Sequence, residues 1–401
     1  MIGVKIDIKS YQKKGKLKNN AKFSEEETLL SHYDFLSKKA KKAAENYFIE
    51  TYSEVNGFKG LQVEEAIQEL LFDVRASVPF PGPNNGEEEF TFIDLFAGIG
   101  GFRMAMQELK GKCVFSSEWD EAARETYRLN YGEIPFGDIT KPSVKENIPK
   151  NFDILCAGFP CQPFSRAGVS ARNFLGLKHG FSHPTQGNLF FEIIEIVKKH
   201  KPQVLFLENV KNLKSHDEGN TFKIIEEMIT GLGYSFFHKI INAQTEIPQR
   251  RERTYMVCFR NSKVKFEFPE FKGEPKKLGS IIKSKVPDKY TISDNLWSGH
   301  QKRSKRNKDR GTGFTTQVAD LNKPSNTIVA RYYKDGKECL IPQKNKNPRM
   351  LTEEECVELF GFDKDFIFHP SRNSAYKQFG NSVAVPVIKK IGKEIIQLLK
   401  K

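Results

Sequence analysis

The stretch Gly158-Phe159-Pro160-Cys161-Gln162-Pro163-Phe164-Ser165 holds one thiol between two prolines at the end of an apolar run. A thiolate in that position can act as a nucleophile toward an electron-poor carbon. A second apolar run, Gln203 to Leu207, ends in Glu208-Asn209-Val210. If both runs are strands, they deliver a thiol and a carboxyl to the carboxyl ends of one sheet, where open α/β folds bind ligands. A thiolate that adds to a ring carbon while a carboxyl protonates a ring nitrogen divides one hard substitution into easier covalent steps.

Such delivery needs an α/β scaffold, and the hydrophobic pattern predicts one. Strands are expected at Thr91 to Leu95, Cys113 to Ser117, Phe152 to Ala157, Val204 to Leu207 and Thr254 to Phe259. Helices are expected near Gly101 to Leu109, Glu121 to Tyr131, Leu189 to His200 and Thr221 to Leu232. This alternation predicts a doubly wound, mostly parallel sheet of the Rossmann-like kind. Four segments follow from the composition: a basic, helical amino-terminal extension over 1–85, a catalytic and ligand-binding domain over 86–261, a smaller domain over 262–348, and a closing segment over 349–401. Pro79, Pro81, Gly82, Pro83 and Gly86 read as a linker after the extension. In the closing segment Thr352 and Glu355 form a capping-box pattern ahead of an apolar helix, and Val383 to Leu399 reads as another amphipathic helix.

The formal charge is +14 over 401 residues. A sequence pI near 9.3 points to a polyanionic partner more readily than to an acidic small molecule. Lys302, Arg303, Lys305, Arg306, Lys308 and Arg310 crowd one segment beside Trp297 and His300. The six cysteines include no Cys-x-x-Cys pair, so neither a zinc site nor a disulfide framework is favoured and no metal is expected. No apolar run is long enough to span a bilayer and no signal-peptide pattern opens the chain, which reads as a cytoplasmic protein without membrane association.

Asp94-Leu95-Phe96-Ala97-Gly98-Ile99-Gly100-Gly101-Phe102 follows one expected strand and opens a helix, so backbone amides can approach a ligand there. The next strand ends in Glu118-Trp119, the placement at which an acidic residue binds ribose hydroxyls in dinucleotide folds. Trp119 would stack on an adenine. Asp138-Ile139, near the expected end of a third strand, would accept from the adenine amino group and pack its face. No Walker lysine follows the glycines, and Asp94 would repel a pyrophosphate while suiting a cationic amino or sulfonium group. These features point to S-adenosylmethionine rather than a nicotinamide dinucleotide.

With these residues in place, the chain resembles the DNA (cytosine-5)-methyltransferases, and within them the bacterial Dcm type. The resemblance runs from Phe92 to Val387. It is carried, in the family's order, by Phe-x-Gly-x-Gly at 96–100, Pro160-Cys161, Glu208-Asn209-Val210, Gln249-Arg250-Arg251-Glu252-Arg253 and Gln378-Phe379-Gly380-Asn381-Ser382-Val383. It implies that Cys161 attacks C6 of a cytosine and that Glu208 holds a proton against N3. Of Arg251 and Arg253, expected two apart at a strand beginning and hence on one side, one would meet the cytosine or its phosphate while the other supports Glu208; plain salt bridging of Arg253 with Glu252 or Glu246 is the competing reading. Phe96, Gly98, Leu189 and Asn381 would line the methionine part of the cofactor, with Gly100, Pro160 and Ser382 beside them.

Such chemistry requires a cytosine flipped out of the duplex. The segment Arg166 to Gln186 is long for a strand-to-helix connection and would close over it. Double-stranded DNA is the expected partner. Gln162, Ser165, Arg166 and Gln249 are expected near it, with Arg303 and Arg306 on phosphates and Thr327 and Arg331 in a recognition segment, Asn326 to Gly336, that resembles the Dcm type and suggests a short GC-rich palindrome. The resemblance also implies a restriction-modification setting, with a cognate endonuclease acting separately on the same site, and a monomer is the default state. Two other readings stay open here: a tRNA cytosine-C5 methyltransferase of the same fold, and a DNA-binding transcriptional regulator acting through residues 1–85.

Overall fold

The computed structural model describes residues 78–84, 86–160, 189–311, 315–316 and 318–400. The expectations for residues 1–77 and for Cys161, Gln162, Ser165, Arg166 and the connection to Gln186 fall outside them. The chain divides into two compact units, whose described residues lie in 78–241, 252–269 and 388–400 for one and in 242–251 and 270–387 for the other.

The first unit is built on a six-stranded sheet in the order β2-β1-β3-β4-β6-β5. Its strands are β1 (Phe90–Leu95), β2 (Gly111–Ser117), β3 (Ile154–Gly158), β4 (Val204–Val210), β5 (Phe237–Asn242) and β6 (Glu252–Phe259). β1 pairs in parallel with β2 and β3, and β3 with β4, while β6 runs antiparallel to β4. Phe92, Ile93, Ile154, Leu155 and the run Val204 to Leu207 are wholly buried, as strands covered on both faces by helices must be. The connecting helices are α1 (Gly101–Gln107), α2 (Glu121–Tyr131), α3 (Leu189–His200) and α4 (Asn220–Gly231). Local chemistry sets the ends of α2: the Asp120 carboxylate accepts the Ala123 N–H at 3.1 Å, and Gly132 closes the helix in the left-handed region at φ 72°.

Two differences from the sequence expectation bear on the site. β5, an edge strand with half-exposed residues, was not foreseen. The strand expected to end at Asp138 is reduced to a single bridge between Ser117 and Phe136. Asp138 itself turns the chain by accepting the Thr140 N–H at 2.9 Å, an Asx turn that ends pairing.

The second unit contains α5 (Asp294–Asp309), α6 (Glu353–Phe360) and α7 (Arg372–Asn381), and α8 (Val385–Leu399) begins in it. α6 carries the full capping box, the Thr352 hydroxyl accepting the Glu355 N–H and the Glu355 carboxylate accepting the Thr352 N–H. Arg349 clamps the same carboxylate through two nitrogens at 2.8 and 2.7 Å, so this buried charge is paired as well as capping. No helix among the described residues is long and apolar enough to cross a membrane, and no group of three or more His, Cys, Asp or Glu among them is placed to hold a metal ion.

Candidate active site

β3 and β4 are neighbours in register, Gly158 facing Glu208, so the ends of these two strands share one edge of the sheet. Glu208 is buried and lies 3.1 Å from Nε of Arg253. Antiparallel pairing of β6 against β4 puts Arg253 opposite Val210 and thereby brings the guanidinium to the carboxylate. Arg253 also donates through Nη1 to the carbonyl of its neighbour Glu252 at 2.8 Å, which fixes the fork. Asn209 ties the two strand ends together: its Nδ2 donates to the Phe159 carbonyl at 2.8 Å and its Oδ1 accepts the Val210 N–H at 2.8 Å. Phe159 is buried against Phe190, Pro160 is exposed, and Cys161 is the next residue in the sequence. The contact made by Asn209 therefore fixes the chain two residues before the thiol to the strand that carries the carboxyl.

A second cluster forms at the ends of β1 and β2. Phe96 and Gly98 adopt positive φ at 56° and 55°, and Gly100 follows at 81° as the residue before α1. Phe96 pays a strain that a glycine would not, which is characteristic of turns shaped around a ligand. The Glu118 carboxylate accepts the Gly98 N–H at 2.8 Å and the Asp120 N–H at 2.9 Å, joining the glycine turn to the end of β2. Burial pushes the Glu118 carboxyl upward, opposed by those amides. Trp119 beside it is 73% exposed, so it is not a core aromatic. Ile139 is buried and Asp138 half-buried.

Asp94 has the least ordinary environment. Its residue is 1% exposed, and neither carboxylate oxygen makes a well-formed hydrogen bond among the described residues. Burial raises its carboxyl well above the usual range; Arg103 opposes this through its charge and backbone amide, and Glu118 adds to it. Arg103, which the sequence reading did not single out, is already committed to Glu133 at 2.5 Å and lies over the rings of Tyr127 and Tyr131. The cluster thus carries one buried positive charge against Asp94, Glu118 and Glu133. It is complementary to a ligand with a cationic amino or sulfonium group at one end and a flat aromatic ring at the other.

The remaining expected site residues lie in the second unit, apart from Leu189, which opens α3. Gln249 is fully buried and its Oε1 accepts the Ile328 N–H at 3.1 Å. The Thr327 hydroxyl donates to the Arg250 carbonyl. Arg251 precedes β6, so strand alternation does not relate it to Arg253. Its guanidinium is buried and donates to the carbonyls of Ile328 and Gly380, both at 3.1 Å, and of Ser382. Asn381 ends α7 exposed. Arg331 is exposed, as are Arg303 and Arg306 on α5, where Arg303 reaches Asp335 at 3.4 Å. α5 is anchored by His300, whose ring nitrogens meet the Asp335 carbonyl and the Thr316 hydroxyl, each at 2.9 Å.

Residues 90–397 match the family described as C-5 cytosine-specific DNA methylase. The chain is 47% identical over 338 residues to the Type II methyltransferase M.SsoII of Shigella sonnei, covering 82% of this chain and 86% of that protein. It is 38% identical over 375 residues to a DNA-cytosine methyltransferase of Escherichia coli strain K12, covering 79% of each. In fold it is similar to the Entamoeba histolytica methyltransferase EhMeth, with a TM-score of 0.61, 20% identity, and coverage of 78% of this chain and all of that one. Carried by a match across three quarters of its length, the chain belongs to the C-5 cytosine-specific DNA methylase family.

Proposed function

We propose that this enzyme methylates C5 of a cytosine flipped out of a short, GC-rich duplex target, through a covalent bond between Cys161 and C6. The observation that carries the reading is the pair of buried Glu208 and half-buried Arg253 at the end of β4, tied by Asn209 to the chain that leads into Cys161. Asp94, Glu118 and Trp119 would hold S-adenosylmethionine at its cationic group, ribose and adenine, with Phe96 and the glycine turn beside them. When bound, that cofactor supplies an electrophilic methyl group.

The residues of the chain do the rest. The Cys161 thiolate forms a bond to C6, the C5–C6 double bond opens, and density moves toward C5 and N3. Glu208 meets the charge developing at N3 with a proton, and Arg253 keeps that carboxyl in place. Once C5 carries the methyl group that the bound cofactor would supply, loss of the C5 proton to solvent re-forms the double bond as the sulfur–C6 bond breaks, returning Cys161, and N3 gives its proton back to Glu208. Burial of Glu208 matters because hydrogen-bonding groups are worth more at a reacting centre from which water is excluded.

The Type II methyltransferases among the relatives support a role in protecting DNA within a restriction-modification system, with a separate endonuclease reading the same site. The test is a duplex carrying 5-fluorocytosine at the target position, because fluorine at C5 blocks elimination. The unaltered enzyme is expected to remain bound covalently and Cys161→Ser to release the duplex. Unchanged tritiated-methyl transfer by Cys161→Ser would refute the mechanism, and preferential methylation of tRNA over duplex DNA would refute the substrate.

A further inference from the structure

The proline-rich segment before β1, which reads in the sequence as a linker, is bonded into the first unit behind the glycine turn. The Phe80 N–H donates to the Asn130 carbonyl at 2.9 Å, and the Phe80 carbonyl accepts from Gln107 Nε2 at 3.2 Å. The Phe80 ring packs on Tyr131, with centroids 6.2 Å apart, and joins the small buried cluster of Ala97, Tyr127 and Tyr131. Ala97 is itself part of the glycine turn. The Tyr131 hydroxyl donates to the Gly100 carbonyl at 2.7 Å. A Cβ added to Gly100 would lie 2.3 Å from the Tyr131 ring, so backbone and ring are in direct contact. Phe80 supports Tyr131, and Tyr131 supports the residue that turns the chain into α1.

We propose that Phe80 and Tyr131 are positioning residues for the turn Phe96–Gly100, setting its affinity for the adenosyl cofactor without touching that cofactor. The proposal rests on the reading of this turn as the S-adenosylmethionine site. A loop with glycines at Gly98 and Gly100 has many backbone conformations open to it. Fixing it beforehand removes an ordering cost that binding would otherwise meet. The Tyr131 hydroxyl bond to Gly100, with the Phe80 ring packed on Tyr131, adds to the Glu118 bond at Gly98 in doing this.

The test measures binding of S-adenosylhomocysteine by calorimetry in the full chain, together with hydrogen exchange of the Gly98 to Gly101 amides. Tyr131→Phe, which keeps the ring and deletes one net hydrogen bond, is expected to weaken binding about fivefold. Phe80→Ala should weaken it about tenfold, and Phe80→Leu should restore most of the loss. Exchange at Gly98 to Gly101 should quicken in the weakened variants, and the KM for S-adenosylmethionine should rise while kcat at saturating cofactor and the KM for DNA hold. Binding by the unaltered chain with unchanged affinity in both Tyr131→Phe and Phe80→Ala would overturn the proposal alone. No binding by the unaltered chain would overturn the site reading, and the proposal with it. A uniform loss of kcat and thermal stability without a change in cofactor affinity would assign the two residues to general packing and overturn the proposal too.

Discussion

Replacing Asp94 by Asn removes a charge while keeping the shape of the side chain. The Asp94 carboxyl is buried, lacks well-formed hydrogen bonds among the described residues, and sits near Glu118. Its ionisation is therefore displaced well above the usual carboxylate range. For a group whose folded-state value is raised, the stabilisation is fully present below the unfolded value and disappears as pH rises through the folded one. At neutral pH the folded protein thus carries a penalty that Asp94→Asn relieves. Leaving a buried polar group unsatisfied costs about 1–3 kcal/mol, more when it is charged, so relief of about that size is expected. In a folding unit of 150–250 residues that raises Tm by about 2–4 °C per kcal/mol.

The same substitution should damage the site. If Asp94 meets a cationic group, deleting one partner of a buried charge pair costs about 2–5 kcal/mol, or roughly 30-fold or more in affinity. The assay is calorimetric unfolding without cofactor between pH 4 and pH 8, alongside S-adenosylhomocysteine and S-adenosylmethionine titrations. The expected pattern is a variant more stable than the parent at pH 8, converging on it toward pH 4, that binds the sulfonium cofactor poorly. A variant less stable at every pH, or one with undiminished cofactor affinity, refutes the argument that Asp94 is a surplus charge held for a cation.

Three further outcomes follow from the geometry. Asn209→Ala removes the 2.8 Å bond to the Phe159 carbonyl, and since a 1 Å misplacement can cost about 10²-fold in rate, single-turnover methyl transfer should fall by about that factor while DNA affinity holds. Lys302, Arg306 and Arg310 recur every fourth residue along α5 and its end and are exposed. Lys302→Gln with Arg306→Gln should lower the slope of log affinity against log salt by about 2, equally for target and non-target duplexes. Gly380→Ala places a Cβ 2.3 Å from the Ala330 backbone nitrogen, so chemical denaturation should show a loss of about 1–3 kcal/mol, and target discrimination should fall if residues 326–336 read the bases.

Elements whose sequence carries both a period and a stop signal were legible at residue level. α2 begins and ends where Asp120 and Gly132 require, and α3 coincides with its apolar periodicity. α5 was not foreseen because it has no apolar stripe; of its residues only His300 is buried, and the helix depends on the Ser293 cap and the two ring-nitrogen contacts of that histidine. β5 escaped notice because its residues are mostly half-exposed at an edge. α7 ends in a segment read for its motif, Gly380-Asn381, which masks the helix that carries it.

The arginine motif shows where sequence reasoning stops. Types and spacing made Arg251 and Arg253 equivalent candidates for the chemistry, because each is a fixed cation and they stand two apart. Their partners separate them. Arg253 reaches a carboxylate, a side chain visible in sequence as part of Glu208-Asn209-Val210. Arg251 reaches main-chain carbonyls of Ile328, Gly380 and Ser382, and a carbonyl has no residue type to betray it. With Gln249 on the Ile328 amide and the Thr327 hydroxyl on the Arg250 carbonyl, the first half of the motif is occupied in fixing residues 325–328 to its own backbone. A five-residue motif therefore divides its labour by position: Gln249 to Arg251 hold the segment proposed to read the target, and Arg253, two residues later, holds the carboxyl proposed to meet the base.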